Sequence, residues 1–161
     1  MSVKVTKEEL TYKIITEFSK TLGMFGLTPV EARLFAYLYL VNEPVTLDGM
    51  SEAIGKSKTS MSTSIRSLLD MNLVTRVWKK GVRKDLYQAN SQLFKSFMNS
   101  YMNKWLAAAT HQQDALVSIE EEINEVKEPA TGEILKLKEY LQDIIKFHEQ
   151  VADLFREMKQ E

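Results

Sequence analysis

The spacing of apolar residues changes period along this chain, and each change marks an element. Leu10, Ile14, Ile15, Phe18 and Leu22 recur at helical spacing, which predicts an amphipathic helix over residues 5–24 that ends near Gly23. Thr28, Pro29 and Glu31 then form a complete helix start: an N-cap, a proline at the first helical position and a capping-box glutamate. The helix they open is apolar nearly all round to about Val41, so it is expected at the centre of the fold, and Asn42, Glu43 and Pro44 stop it. A short helix over 47–54 closes at Gly55, and Ser57 or Lys58 opens another that runs to about Asn72.

That last helix has two faces of unlike chemistry. Met61, Ile65, Leu68 and Leu69 share one, while Thr59, Ser60, Thr63, Arg66 and Ser67 share the other. Ser and Thr are poor helix formers and gain nothing on a solvated face, so a hydroxyl face flanked by Lys56 and Lys58 points to a contact surface. Residues 74–79 and 84–89 are rich in Val, Trp, Leu and Tyr and flank Lys80, Gly81, Val82 and Arg83, which predicts a β-hairpin with a basic tip. Two short helices followed by a basic hairpin, over residues 45–89, are the layout of a winged helix-turn-helix that enters DNA.

From Ser91 a helical pattern runs to Lys127, about 54 Å at about 1.5 Å per residue. Pro129 and Gly132 interrupt it, and Thr131 can cap a last helix that reaches about residue 159. Within that helix Ile134, Leu137, Leu141, Ile144, His148, Val151, Phe155 and Met158 fall at alternating steps of three and four, a heptad seam. Packing within the chain would produce such a stripe too, but a helical dimerisation platform is the favoured reading. The expected fold is mainly α with a small β wing. Residues 1–26 form an N-terminal dimerisation helix, 27–90 a winged helix-turn-helix domain and 91–161 a C-terminal helical dimerisation region.

Charge sharpens this division. The chain has 161 residues and a net charge of −1. Residues 1–90 hold thirteen Lys and Arg against nine Asp and Glu, +4, and residues 91–161 hold eight against thirteen, −5. Between 55 and 90 eight cations face only Asp70 and Asp85. A basic reader on an acidic scaffold is the footprint of nucleic-acid binding through one face. With no cysteine there is no disulfide, thiolate zinc site or cysteine nucleophile. The longest apolar run, Leu34 to Val41, is far too short to span a bilayer, and no signal-like segment opens the chain, so the expectation is a soluble cytoplasmic protein.

A catalytic reading has little to support it. His111 and His148 lie on different predicted helices, Glu120, Glu121 and Glu122 have no associated histidine, and no glycine-rich phosphate loop follows a strand. No catalytic residue, metal site or cofactor is expected. On the reader, Lys56, Ser57, Lys58, Thr59, Ser60, Thr63 and Arg66 are the candidate DNA contacts; hydroxyls read bases loosely, Arg66 would prefer guanine, and the lysines suit phosphate. Lys79, Lys80, Arg83 and Lys84 of the wing should reach the backbone or the adjacent minor groove, and Asp85 is expected to pair with Arg76 or Arg83 at the hairpin base. Phe94, Phe97, Tyr101 and Trp105 form an aromatic stripe that serves either as core or as the wall of a cage for a quaternary ammonium ion.

The segments TPVEARLFAYLYL at 28–40, KSKTSMSTSIRSLL and KKGVRKDLYQA resemble the GbsR-type branch of the MarR-like transcriptional regulators, and the likeness extends over most of the chain. It implies a homodimer with interlocked terminal helices, two winged domains on a pseudo-palindromic operator, and repression of genes for making or importing osmoprotectants such as glycine betaine. It further implies choline as a signal, with Tyr37, Phe97, Tyr101 and Trp105 as cage candidates. The expected function is therefore a sequence-specific repressor of double-stranded DNA that answers a small quaternary ammonium ligand. The alternative is a winged-helix module that binds a protein partner and reads no DNA.

Overall fold

The computed structural model describes residues 4–126 and 131–160, and the expected helix end at Lys127 and break at Pro129 lie outside the described residues. The elements are α1 (Lys7–Met24), α2 (Pro29–Val41), α3 (Leu47–Ile54), α4 (Lys58–Asp70), β1 (Val74–Val77), β2 (Leu86–Ala89), α5 (Leu93–Asn124) and α6 (Gly132–Gln160). They divide into two compact units, one ending at Ser100 and one beginning at Tyr101.

In the first unit, short-range chemistry sets the helix starts. The Thr28 hydroxyl accepts from the Glu31 amide at 3.2 Å, and the Glu31 carboxylate accepts from the Thr28 amide at 2.8 Å, with Pro29 at the first helical position. This reciprocal box is what lets Glu31 be buried without an orphaned carboxylate. Thr6 and Glu9 build a second box at the start of α1, which the sequence pattern also encodes as Thr-x-x-Glu. Thr46 and Ser57 cap α3 and α4. Gly55, at φ 75°, ends α3 in the left-handed region that glycine enters without a Cβ penalty.

α2 is central, as its all-round apolar pattern requires. Leu34, Phe35, Ala36 and Leu38 are buried with Leu22 of α1, Met50 of α3 and Met61, Ile65 and Leu68 of α4, and Phe97 near the start of α5 joins this core. Burying a side chain of the size of Phe35 or Leu38 contributes about 1.5–3 kcal/mol each, so α4 is seated firmly on one face.

The wing differs from its predicted extent. β1 and β2 pair antiparallel only from Val74↔Ala89 to Val77↔Leu86, so residues 78–85 form a loop instead of extending both strands to 79 and 84. Strand propensity marked Trp78, but nothing covers its ring, which is 82% exposed, and Gly81 at φ 84° turns the chain beside the Val82–Lys79 hydrogen bond. On its other edge β2 is closed by Val45, whose amide and carbonyl both bond Tyr87, at 2.8 and 2.9 Å. Through this isolated bridge the segment between α2 and α3 anchors the wing.

In the second unit α6 shows which half of its apolar pattern packs. Leu141, Ile145 and Ala152 are buried and Ile134, Lys138, His148 and Phe155 half-buried, again at alternating steps of four and three. The expected seam shares Ile134, Leu141, His148 and Phe155; of its other members Val151 is half-buried, but Leu137, Ile144 and Met158 are exposed. Two adjacent stripes share one column of residues, and packing takes the Ile145 side. The outer stripe, Leu137, Tyr140, Ile144, Phe147, Leu154 and Met158, faces water.

Candidate nucleic-acid interface

Because Met61, Ile65 and Leu68 fasten α4 to the core, the opposite side of the helix must face outward. Thr59, Thr63 and Arg66 are exposed there, Lys56 and Lys58 are exposed at its start, and Ser60 and Ser67 are half-buried at its edges. Ser57 spends its oxygen as the N-cap, accepting from the Ser60 amide at 3.1 Å. Thr63 Oγ1 donates to the Thr59 carbonyl at 3.1 Å, which leaves its lone pairs as acceptors and its methyl as an apolar contact. Ser64, unnoticed in the sequence, is buried under the helix.

On the wing, Lys79, Lys80 and Arg83 are exposed on the loop at 78–85, and no ion pair within 4 Å engages them among the described residues. The expected Asp85 pair does not form: among the described residues Asp85 has no cation within 4 Å. Arg76 turns instead to its cross-strand neighbour Tyr87, with the guanidinium carbon 5.6 Å from the ring centroid and a long 3.5 Å donation to the hydroxyl. A cation over a tyrosine face keeps its charge without a carboxylate.

Lys84 and Lys58 are held by a residue that the sequence pattern passed over. Asp48, in the first turn of α3, lies 2.9 Å from Lys84 Nζ and 3.4 Å from Lys58 Nζ. The hydrogen bond from Lys84, then the charge of Lys58, holds the Asp48 carboxyl below its ordinary range. An acidic residue opening a helix was visible in the sequence, but partners farther along the chain were not.

Of the cage candidates in the first unit, Phe97 sits in the core and Tyr37 at its edge. Phe97 is buried edge-on to Phe35 and Phe25, with centroids 5.1 and 5.5 Å away. Tyr37 is half-buried on a groove of about 820 Å³ along α1, α2 and α3 whose lining does not include Phe97, and burial, then Glu43 and Glu52, raise its hydroxyl pKa. In the second unit Tyr101 and Trp105 lie together at 6.0 Å, and Trp105 stacks on Phe155, also at 6.0 Å, a third ring that the sequence pattern marks only as part of the seam. His148 places Nδ1 2.9 Å from the Ile144 carbonyl. Among the described residues no group of three or more His, Cys, Asp or Glu is placed to hold a metal, and no helix is long and apolar enough to cross a membrane.

Residues 22–91, from the end of α1 to the start of α5, match the family described as sugar-specific transcriptional regulator TrmB. The chain is 31% identical over 143 residues to the putative HTH-type transcriptional regulator YvaV of Bacillus subtilis (strain 168), covering 83% of this chain and 81% of that relative. It is 35% identical over 92 residues to the HTH-type transcriptional repressor GbsR of the same organism, 57% of this chain and 51% of the relative, so it spans about half of that protein. A crystal structure of a transcriptional regulator superposes with a TM-score of 0.61 over 94% of this chain and 99% of the other at 17% identity, a likeness of fold.

Proposed function

The chain belongs to the winged helix-turn-helix transcriptional regulators, and we propose that within them it is a homodimeric repressor of the GbsR type that binds double-stranded operator DNA and governs genes for osmoprotectant synthesis or uptake. The observation that carries this reading is the one face of α4 that the core leaves free: Thr59, Thr63 and Arg66, with Lys56 at its start and Lys79, Lys80 and Arg83 on the wing. The first turns of α4 enter the major groove, where the threonines and Arg66 meet base edges, and the wing cations take phosphate. Repression follows the likeness to GbsR, an HTH-type transcriptional repressor, and occupancy of a promoter suffices for it.

Dimerisation is supported by the outer apolar stripe of α6 and by Leu10 and Ile14 of α1, both exposed. Stripes of that length on soluble helices mark association surfaces. Two readers then suit half-sites about 34–36 Å apart or a multiple of it. The ligand is a small quaternary ammonium ion such as choline, held on the faces of Tyr101 and Trp105 by cation–π attraction.

The test is binding of the full chain to the duplex upstream of its own gene and to a scrambled duplex, over ~50 to ~200 mM salt. Preference for the upstream duplex, with log affinity falling steeply against log salt, is expected. Equal, weak binding to both overturns the repressor and leaves a winged-helix module for a protein partner. Calorimetry with choline and glycine betaine tests the ligand; a response to a sugar instead would tie the chain to the sugar-specific regulators of the matched family.

A further inference from the structure

Asp48 makes no part of the face assigned above, yet it holds Lys58 and Lys84, two cations beside that face that the sequence places among the candidate DNA contacts. Its Oδ1 and Oδ2 each take one ammonium group, Lys58 from the first position of α4 at 3.4 Å and Lys84 from the wing loop at 2.9 Å. One carboxylate thus ties α3, the reader and the wing together. All three side chains stay open to water, at 49, 62 and 67% of their surface for Asp48, Lys58 and Lys84. Exposed pairs of this kind are weak and screened by salt, so both lysines can exchange partners.

We propose that Asp48 is a positioning residue that stands in for a DNA phosphate, gathering Lys58 and Lys84 around one anion in the free protein and opposing the phosphodiester that replaces it. The proposal rests on the DNA-binding reading above. A carboxylate and a phosphodiester each spread one negative charge over two terminal oxygens, so two ammonium groups arranged for the first are arranged for the second. The lysines therefore meet the backbone already collected from separate elements, without the ordering cost of two free side chains. The cost is electrostatic: Asp48 stays beside the incoming phosphate and cancels one of the two positive charges, which restrains binding to every sequence alike.

Removing the Asp48 charge takes this group from +1 to +2. Each cation that neutralises a phosphate adds about 0.9 to the slope of log affinity against log salt, which at ~0.15 M relative to ~1 M salt is about a five-fold gain per protomer on the DNA. The experiment measures wild type, Asp48→Asn, Asp48→Glu and Asp48→Asn/Lys84→Gln as full chains on the upstream and scrambled duplexes over a salt series. Asp48→Asn should bind both duplexes more tightly and with a steeper slope, and the ratio between duplexes should hold because phosphate contacts carry no sequence information. Asp48→Glu should stay near wild type, and the double variant should return to the wild-type slope. A wild type with a steep slope whose Asp48→Asn variant keeps that slope, or loses affinity for the upstream duplex alone, overturns the proposal and leaves Asp48 as a brace for the wing. A wild type with neither preference nor slope overturns it together with the DNA-binding reading.

Discussion

Replacing Lys80 and Arg83 together by alanine isolates what the wing contributes. Both are exposed on the loop at 78–85 and unengaged by ion pairs among the described residues, so their charge is available to phosphate in the free protein. On the proposed dimer two contacts per protomer are four, and at about 0.9 each the salt slope should become shallower by up to about 3.6. At ~0.15 M salt this is an affinity loss of up to about a thousandfold, common to upstream and scrambled duplexes. The fold should not notice, since exposed substitutions away from packing change stability by about ±0.5 kcal/mol. Fluorescence anisotropy of labelled duplexes over the salt series reads both slope and preference, and urea unfolding checks the fold. An unchanged slope, or a loss confined to the upstream duplex, would refute the assignment of the wing to phosphate.

Thr63→Ala should act in the opposite way, shifting preference among operator variants while the salt slope stays put, because a threonine at the groove offers an acceptor and a methyl but no charge. Thr28→Ala removes the α2 cap and strands the half-buried box, which should cost about 1–2 kcal/mol in urea unfolding. The Asp48 carboxyl should titrate below its ordinary value: the ion pairs are intact above that value and are lost as pH falls through the lowered one, so a carbon NMR titration should show the midpoint rise in Lys84→Gln. Phe147→Glu and Leu154→Glu, on the exposed stripe of α6, should yield monomers in sedimentation experiments with little loss of helix content, whereas persistence of the dimer would place association elsewhere.

What the sequence made legible follows the range of the interactions. The α2 start was readable because Thr28, Pro29 and Glu31 complete all their contacts within three residues of chain. The α4 faces were readable because helical geometry fixes which side chains share a side once Met61, Ile65 and Leu68 are known to be apolar. The wing strands are shorter than their composition predicts because β propensity belongs to single residues, while a ladder ends where its partner does, at Val77 and Leu86. The α6 seam is legible only in part for a related reason: steps of three and four fit two neighbouring stripes through Leu141 and His148, and only the packing partner selects between them.

Charge is where the difference between chain and space bears most on function. Counted along the chain, residues 55–90 set eight cations against Asp70 and Asp85, and Asp85 was the natural partner for an arginine because it lies nearby. In space Arg76 rests on Tyr87, Asp85 pairs with no cation among the described residues, and Asp48, outside that window, engages Lys58 and Lys84. The reader and wing therefore present one positive charge fewer than the sequence count, and two of their cations have an anion to leave before they can meet another. In the proposed exchange, affinity for DNA is set by release of that anion as much as by the number of lysines, and the anion belongs to α3, a helix outside the proposed contact face.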